Sequence, residues 1–316
     1  MMINYIYWKI IMVHKIGMDY RQIIKTRKNK KSLPLIGRLK KKINVQATKD
    51  QLLPLLKENE EKLKNGLLEL DPSATEHTYD LKKKDGEDFI DNYDEFYKRY
   101  SAIGFQEMTD EAKNMGSKMK KAVSDFTPVQ RLKGMTNTAS EFYHPYYDER
   151  NYTKPTNYCT DYINEFLHSF KSISCRSAVV ALHPGRFITK HFDIGAEYIT
   201  RLQIPIVTNK NAVIGVKTTN GWNEYHLPAD GSMFLVNAGV EHYAINSGND
   251  IRYQIRVCLQ SQEDLEDIED YEPTNFISDE EFNQHPCSGN NKKYKNILKE
   301  SLKEFNLEKS GKASLE

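Results

Sequence analysis

Residues 177–259 read SAVVALHPGRFITKHFDIGAEYITRLQIPIVTNKNAVIGVKTTNGWNEYHLPADGSMFLVNAGVEHYAINSGNDIRYQIRVCL, and they contain eight short runs rich in apolar and β-branched residues. Clusters of glycine, proline, asparagine and aspartate separate the runs, as expected for turns. We therefore predict eight strands, at 177–182, 187–192, 201–208, 212–218, 223–227, 232–236, 242–246 and 251–259. Short strands at this rhythm, with no helices between them, are typical of a sandwich or barrel.

The segments that flank this β-rich stretch have a different pattern of apolar residues. Residues 46–125 carry apolar residues at helical spacing among Glu and Lys, and 157–170 and 293–305 predict two further helices. The fold class is thus predicted as α+β, with a double-stranded β-helix core (jelly-roll, cupin-like) and an N-terminal helical region. The predicted boundaries are a basic N-terminal segment at 1–45, a helical region at 46–125, a double-stranded β-helix domain with its leading helix at 126–262, and an acidic then lysine-rich C-terminal tail at 263–316.

Charge is unevenly distributed along the chain. The 316 residues have a net charge of +1, so composition alone indicates neither a nucleic-acid nor a membrane partner. However, lysine and arginine are concentrated at 21–42, and aspartate and glutamate at 263–272. The simplest interpretation is two solvated flanks. Alternatively, the basic arm binds nucleic acid or an acidic partner, or the two flanks pair with each other.

The cysteines and the N-terminal residues are the features of the sequence that indicate a cellular compartment. The four cysteines form no CxxC pair, and their spacing fits neither a zinc site nor a dense disulfide framework. The apolar first 18 residues are interrupted by Lys9, His14 and Lys15, and they show neither a membrane span nor a secretory signal. We therefore expect a cytoplasmic protein without a membrane anchor.

A possible metal site lies within the strand pattern. His191-Phe192-Asp193 places an imidazole and a carboxylate two residues apart, and such positions share one face of a strand. His242 on the seventh predicted strand is the candidate third ligand. Two histidines and a carboxylate leave positions open on a metal, which suits iron(II) that binds a cosubstrate and O2 together. Taken singly, each histidine is more often a packed or surface residue.

An arginine on the last predicted strand is a further candidate functional residue. Arg252 follows His242 by ten residues, and a buried guanidinium there would offer a fixed fork to a carboxylate. The alternative is a surface ion pair on an edge strand.

In order and spacing, these pieces resemble the aspartyl/asparaginyl β-hydroxylase family of Fe(II)/2-oxoglutarate-dependent oxygenases, whose similarity extends to some free-proline hydroxylases. The resemblance covers about residues 175–260. The matching stretches are 182–185 (LHPG), 191–193 (HFD), 201–209 (RLQIPIVTN), 231–234 (GSMF) with Val236, and 242–246 (HYAIN) followed by Arg252.

The resemblance implies an oxygenase that uses O2 and 2-oxoglutarate to hydroxylate an amino acid side chain, free or in a polypeptide, and that releases succinate and CO2. It implies that His191, Asp193 and His242 bind Fe(II) and that Arg252 holds the distal carboxylate of 2-oxoglutarate. Arg201 matches a family arginine near the cosubstrate and is a predicted secondary contact.

Three residues leave the assignment of the cosubstrate site open. Gln203 stands where the family often has histidine; it can still donate to a carboxylate, but without charge. Val180 stands where a small hydroxyl residue is common. Arg256 lies four residues beyond Arg252 on the same face of an extended strand, so it is the rival anchor.

Two other functions compete with this hypothesis. One is a non-catalytic, cupin-like metal- or ligand-binding module, which the departures at Gln203 and Val180 motivate. The other is an oxygenase that the basic arm at 21–42 delivers to nucleic acid.

Overall fold

The structure is a computed structural model that describes residues 33–60, 100–114, 149–191, 193, 195–196 and 199–288. The helices that lie wholly within these residues are α1 (Val45–Glu58), α2 (Asp161–His168) and α3 (Asp279–Gln284). Short 3-10 helices occur at Glu149–Asn151, Glu263–Leu265 and Pro286–Ser288. The strands are β1 (Ile36–Lys42), β2 (Tyr100–Gly104), β3 (Gln106–Glu107), β4 (Lys154–Pro155), β5 (Ser174–Leu182), β6 (Phe187–His191), β7 (Thr200–Val207), β8 (Ala212–Lys217), β9 (Gly221–His226), β10 (Ser232–Val236), β11 (His242–Asn246), β12 (Arg252–Leu259), β13 (Glu269–Asp270) and β14 (Asn275–Ser278).

Two antiparallel sheets form the core. The larger sheet has the strand order β13-β1-β10-β7-β12-β5-β2, and the smaller sheet has the order β14-β9-β8-β11-β6. The eight predicted strands correspond to β5–β12, and four of them lie in each sheet: β5, β7, β10 and β12 in the larger, and β6, β8, β9 and β11 in the smaller. The prediction of a cupin-like, double-stranded β-helix core is confirmed.

Different parts of the structure cover the two faces of the larger sheet. On β7, Leu202, Ile204 and Ile206 point to one face, where they pack with apolar residues of α1 and α2. On the opposite face, an apolar cluster that includes Ile188 of β6 and Phe234 of β10 fills part of the space between the sheets. Helices therefore cover the outer face of the larger sheet, and its inner face lines an interior. None of the described helices is both long and apolar enough to cross a membrane.

The prediction that residues 46–125 are helical is wrong in part. α1 ends at Glu58, and Tyr100–Gly104 forms β2, which pairs with the edge of β5. Ile103 and Phe105 are completely buried there, so strand pairing and burial override the helical pattern. Residues 61–99 and 115–125 of the predicted region lie outside the described residues.

The two charged flanks contribute to the fold. β1 and β13 pair with each other in the larger sheet, as the alternative interpretation proposed. The lysines at the end of β1 and the acidic residues of β13 are exposed, as the prediction of solvated flanks requires. Ile36 is buried on the inner face of β1, and Leu39 is buried on the outer face, under the helices. Its basic side chains contact neighbours within the chain: Arg38 Nη2 lies 2.7 Å from Asp230, and Lys41 Nζ donates to the Ser169 backbone at 2.7 Å. Residues 21–32 of the basic arm lie outside the described residues.

The start of the predicted C-terminal tail is also folded. β14 pairs with β9, and α3 begins with a capping box formed by Ser278 and Glu281. Phe282 of α3 stacks on Trp222 with ring centroids 4.0 Å apart, and this contact covers the outer face of the smaller sheet. The apolar residues of this segment, rather than its acidic ones, explain the packing. The predicted helix at 293–305 lies outside the described residues.

Gly215 of β8 provides a test of this packing. A Cβ atom at this position would overlap the Tyr243 ring. That ring cannot move easily, because Tyr243 Oη donates to Glu224 at 2.7 Å. We expect Gly215→Ala to lower the free energy of unfolding in urea by about 3 kcal/mol.

Gly185→Ala is the control for Gly215→Ala. Gly185 has a φ of 68° but no atom within 4 Å of the added carbon, so it should lose only about 1 kcal/mol. Equal losses for the two variants would contradict the packing at Tyr243.

Candidate metal centre

The structure brings the three predicted ligands together. β6 ends at His191 and β11 begins at His242, and the two residues are direct cross-strand partners in the smaller sheet. Asp193 follows β6, and its backbone N–H donates to the Ala238 carbonyl at 2.9 Å. One ligand atom from each residue lies within 4.8 Å of the others. Asp193 Oδ1 is 3.9 Å from His191 Nε2, and Asp193 Oδ2 is 4.0 Å from His242 Nε2.

Backbone carbonyl groups orient both imidazole rings. His191 Nδ1 lies 2.7 Å from the Thr189 oxygen, and His242 Nδ1 lies 2.9 Å from the Val240 oxygen. Because a carbonyl oxygen only accepts, each Nδ1 carries a proton, and each Nε2 is directed towards Asp193. Burial, together with the neighbouring His191, lowers the pKa of His242 to about 4. His242 is therefore a neutral imidazole at neutral pH, which is the form that binds a metal.

The Asp193 carboxylate stays ionised. Removal from water would raise its pKa, but the neighbouring Arg201 guanidinium outweighs this effect, and the pKa is lowered to about 2. Two imidazole nitrogens and one carboxylate oxygen therefore converge. This donor set fits a divalent first-row metal, and iron(II) is the metal whose oxygenase chemistry uses it.

A cavity of about 190 Å³ lies beside these residues and between the sheets. Among its described lining residues, arginines outnumber carboxylates, since Asp193 is the acidic one. The polar side chains of the larger sheet that line the cavity come from alternate positions of β5, β7 and β12: Arg176, Arg201, Gln203, Arg252, Gln254 and Arg256. A net positive lining favours an anionic ligand.

The predicted cosubstrate residues lie at different levels of this cavity. Arg256 is the cross-strand partner of Gln203, two pairs away from Arg201. Arg252 is at the far end of β12, opposite Leu182. The two arginines are separated by about 13 Å along the strand. The side-chain oxygen of Gln203 accepts a hydrogen bond from Gln254 Nε2 at 2.5 Å, so its amide nitrogen is the group that can donate to a ligand.

Arg201 is engaged by carboxylates of the chain itself. Its Nη1 contacts Asp193 Oδ2, and its Nη2 lies 3.2 Å from Glu149 Oε1. These two anions raise the pKa of Arg201 against the opposing effect of burial. The predicted role of Arg201 as a secondary cosubstrate contact remains a prediction, and the structure adds a contact with a candidate metal ligand.

Sequence reasoning missed Glu149, Arg176 and Gln254. Glu149 lies more than 40 residues before His191 in the chain, outside every motif, and no local pattern marks it as buried. The alternation of β5 and β12 was the available signal for the other two, because it places Arg176 and Gln254 on the same faces as Val180 and Arg252.

The sheets and the site together define a cupin-like β-sandwich that carries a candidate His–Asp–His metal centre. No protein-family profile matches the sequence, and no curated protein matches it.

Several solved structures resemble parts of the fold. A 2OG-Fe(II) oxygenase family protein from Burkholderia pseudomallei matches with 14% identity and a TM-score of 0.25, over 33% of this chain and 52% of that one. An oxalate oxidase matches with 19% identity and a TM-score of 0.22, over 27% of this chain and 41% of that one. A variant of Bacillus subtilis oxalate decarboxylase matches with 17% identity and a TM-score of 0.22, over 34% of this chain and 25% of that one.

This chain spans about half the length of that oxygenase and less of the other two proteins. Likenesses this partial do not bear on activity.

Proposed function

We propose that the protein is an Fe(II)/2-oxoglutarate-dependent dioxygenase that hydroxylates an amino acid side chain, free or in a polypeptide. The observation that carries the proposal is the convergence of His191, Asp193 and His242 beside a cavity lined with arginines. In the balanced reaction, substrate, 2-oxoglutarate and O2 give hydroxylated substrate, succinate and CO2. The nature of the substrate rests on the sequence resemblance.

Iron(II) held by His191, Asp193 and His242 would supply the activation of O2 that C–H hydroxylation requires. The part of the protein is binding and positioning. The backbone bonds to each Nδ1 fix the two rings, and the ionised Asp193 contributes the negative charge that a divalent cation needs. Three protein donors leave the remaining positions for small ligands.

Arg252 is the proposed anchor for the distal carboxylate of 2-oxoglutarate. Arg252 is 4% exposed and lines the cavity, so a carboxylate bound there would form a bidentate, charge-assisted pair with the guanidinium. Arg256 lines the same cavity and remains the alternative anchor.

Succinate formation tests the proposed activity. Purified protein would be loaded with Fe(II) and 2-oxoglutarate without oxygen, exposed to O2, and screened with amino acids and peptides, with succinate and hydroxylated product followed by mass spectrometry. We expect succinate that depends on both additions and rises with one substrate class, in step with product. Samples with a chelator or without 2-oxoglutarate are the controls.

The same assay distinguishes the proposed enzyme from the competing hypothesis of a non-catalytic binding module. The hydrogen bond between Gln203 and Gln254, together with Val180 in the cavity wall, favours a rearranged ligand site. Tight metal binding without succinate formation under any substrate would contradict the enzyme and support a non-catalytic, cupin-like binding module.

Metal binding should also stabilise the fold. Because the three ligands come together only in the folded state, a divalent ion at 1,000 times its Kd should add about 4 kcal/mol to the free energy of unfolding. Thermal unfolding with increasing Mn(II) or Co(II), compared with Mg(II), measures this effect. A melting temperature that is insensitive to all three ions would contradict the site.

A further inference from the structure

A buried glutamate lies behind the candidate metal centre. Glu149 belongs to the 3-10 helix Glu149–Asn151, and it is 1% exposed. Both carboxylate oxygens accept from arginines: Oε2 lies 2.8 Å from Arg176 Nη1, and Oε1 lies 3.2 Å from Arg201 Nη2. Burial would raise the pKa of Glu149, but the two guanidinium groups lower it, so the carboxylate is ionised. A buried ionised group that is paired on both oxygens sits in a fixed position.

The backbone of β5 is adapted to hold this glutamate. The pairing of β5 with β12 shifts register between Arg256 and Cys258, and in the facing segment of β5 Arg176 has a φ of 47°, in the left-handed region. Such irregularities re-aim a side chain. The Arg176 N–H also donates to the Tyr152 carbonyl at 2.7 Å, which ties the strand to the segment that carries Glu149.

The chain of ion pairs ends at a candidate ligand. Arg201 contacts Asp193 through Oδ2, the same oxygen that lies 4.0 Å from His242 Nε2. Asp193 lies beyond the end of β6, so the bond from its N–H to Ala238 fixes its backbone while Arg201 fixes its carboxylate.

The four groups Arg176, Glu149, Arg201 and Asp193 carry two positive and two negative charges. Loss of Glu149 would therefore leave a net positive charge beside a divalent cation.

We propose that Glu149 is a positioning residue of the metal centre, which acts through Arg201 to hold the Asp193 carboxylate towards the two histidines. This inference rests on the proposed function only in requiring that the three ligands bind a metal ion. It predicts that metal affinity depends on a residue that contacts no ligand directly.

Cobalt(II) titration tests the role of Glu149. We expect Glu149→Gln to bind Co(II) about 10- to 100-fold more weakly than the wild type and to change the visible absorption spectrum of the bound ion, because the carboxylate is less well oriented. Circular dichroism would establish that the variant is folded.

The matched control is Glu224→Gln. Glu224 is also a buried glutamate, and it accepts from Tyr243 Oη at 2.7 Å and from Asn275 Nδ2 at 2.8 Å. Its replacement should lower stability but leave Co(II) affinity within about twofold.

Wild-type Co(II) affinity and spectrum in folded Glu149→Gln would overturn the proposal. If that variant does not fold, Glu149→Asp takes its place. Aspartate keeps the charge but is too short to span both guanidinium groups, so several-fold weaker Co(II) binding is expected. Unchanged Co(II) binding by Glu149→Asp would overturn the proposal. Wild-type protein that binds Co(II) but forms no succinate would count against the oxygenase and leave the role of Glu149 intact. Wild-type protein that does not bind Co(II) would overturn both.

Discussion

His242→Ala is expected to lose tight binding of a divalent metal ion and to form succinate no faster than a sample without protein. The variant removes a neutral imidazole whose Nε2 faces Asp193, and the two remaining ligands cannot complete the donor set. Loss of a direct ligand should exceed the 10- to 100-fold loss of affinity that is typical when an outer partner of a ligand is removed. Calorimetric titration with Co(II) measures the affinity, and mass spectrometry measures succinate.

His226→Ala is the matched control for His242→Ala. His226 lies on β9 of the same smaller sheet, and its Nδ1 is 3.3 Å from the Ala212 carbonyl, outside the three-residue cluster. It should keep wild-type metal affinity and activity. If His242→Ala retained wild-type affinity while folded, the metal would have to bind elsewhere.

Arg252→Gln is expected to raise the KM for 2-oxoglutarate about 100-fold while Co(II) affinity stays unchanged. Loss of one partner from a buried, hydrogen-bonded charge pair costs about 2–5 kcal/mol, and roughly 2.7 kcal/mol corresponds to this factor. Glutamine keeps part of the length and polarity, so the side chain still lines the cavity. Steady-state rates of succinate formation at varied 2-oxoglutarate measure the change.

Arg256→Gln is the comparison for Arg252→Gln, because both arginines lie on the same face of β12 and line the same cavity. A smaller increase in KM is expected for Arg256→Gln. A larger increase for Arg256→Gln would move the anchor to Arg256, and no increase for either variant would contradict a 2-oxoglutarate site in this cavity.

Local pattern was sufficient to predict the central fold. The strands of the β-helix are short runs rich in apolar and β-branched residues that end at turn residues, so each could be located from its own few residues. Position within that pattern also identified the candidate ligands, since His191 and His242 fall at the ends of two strands that neighbour each other in the smaller sheet.

Non-local contacts explain what the sequence did not reveal. β1 and β2 are short segments that become strands because they pair with β10 and β5 of the larger sheet. The residues of β1 and β2 alone do not reveal this pairing. The ion pairs of Glu149 join residues 27 and 52 positions apart, and a buried glutamate has the same local sequence signature as an exposed one. Tertiary pairing decides such positions.

A crystal structure of the protein with Mn(II) and 2-oxoglutarate, grown without oxygen, tests the metal centre most directly. The expected result is one anomalous peak within about 2.3 Å of His191 Nε2, His242 Nε2 and an Asp193 oxygen, with the distal carboxylate of 2-oxoglutarate against Arg252. A metal ion bound away from these three residues, or a 2-oxoglutarate molecule outside the cavity, would contradict the account.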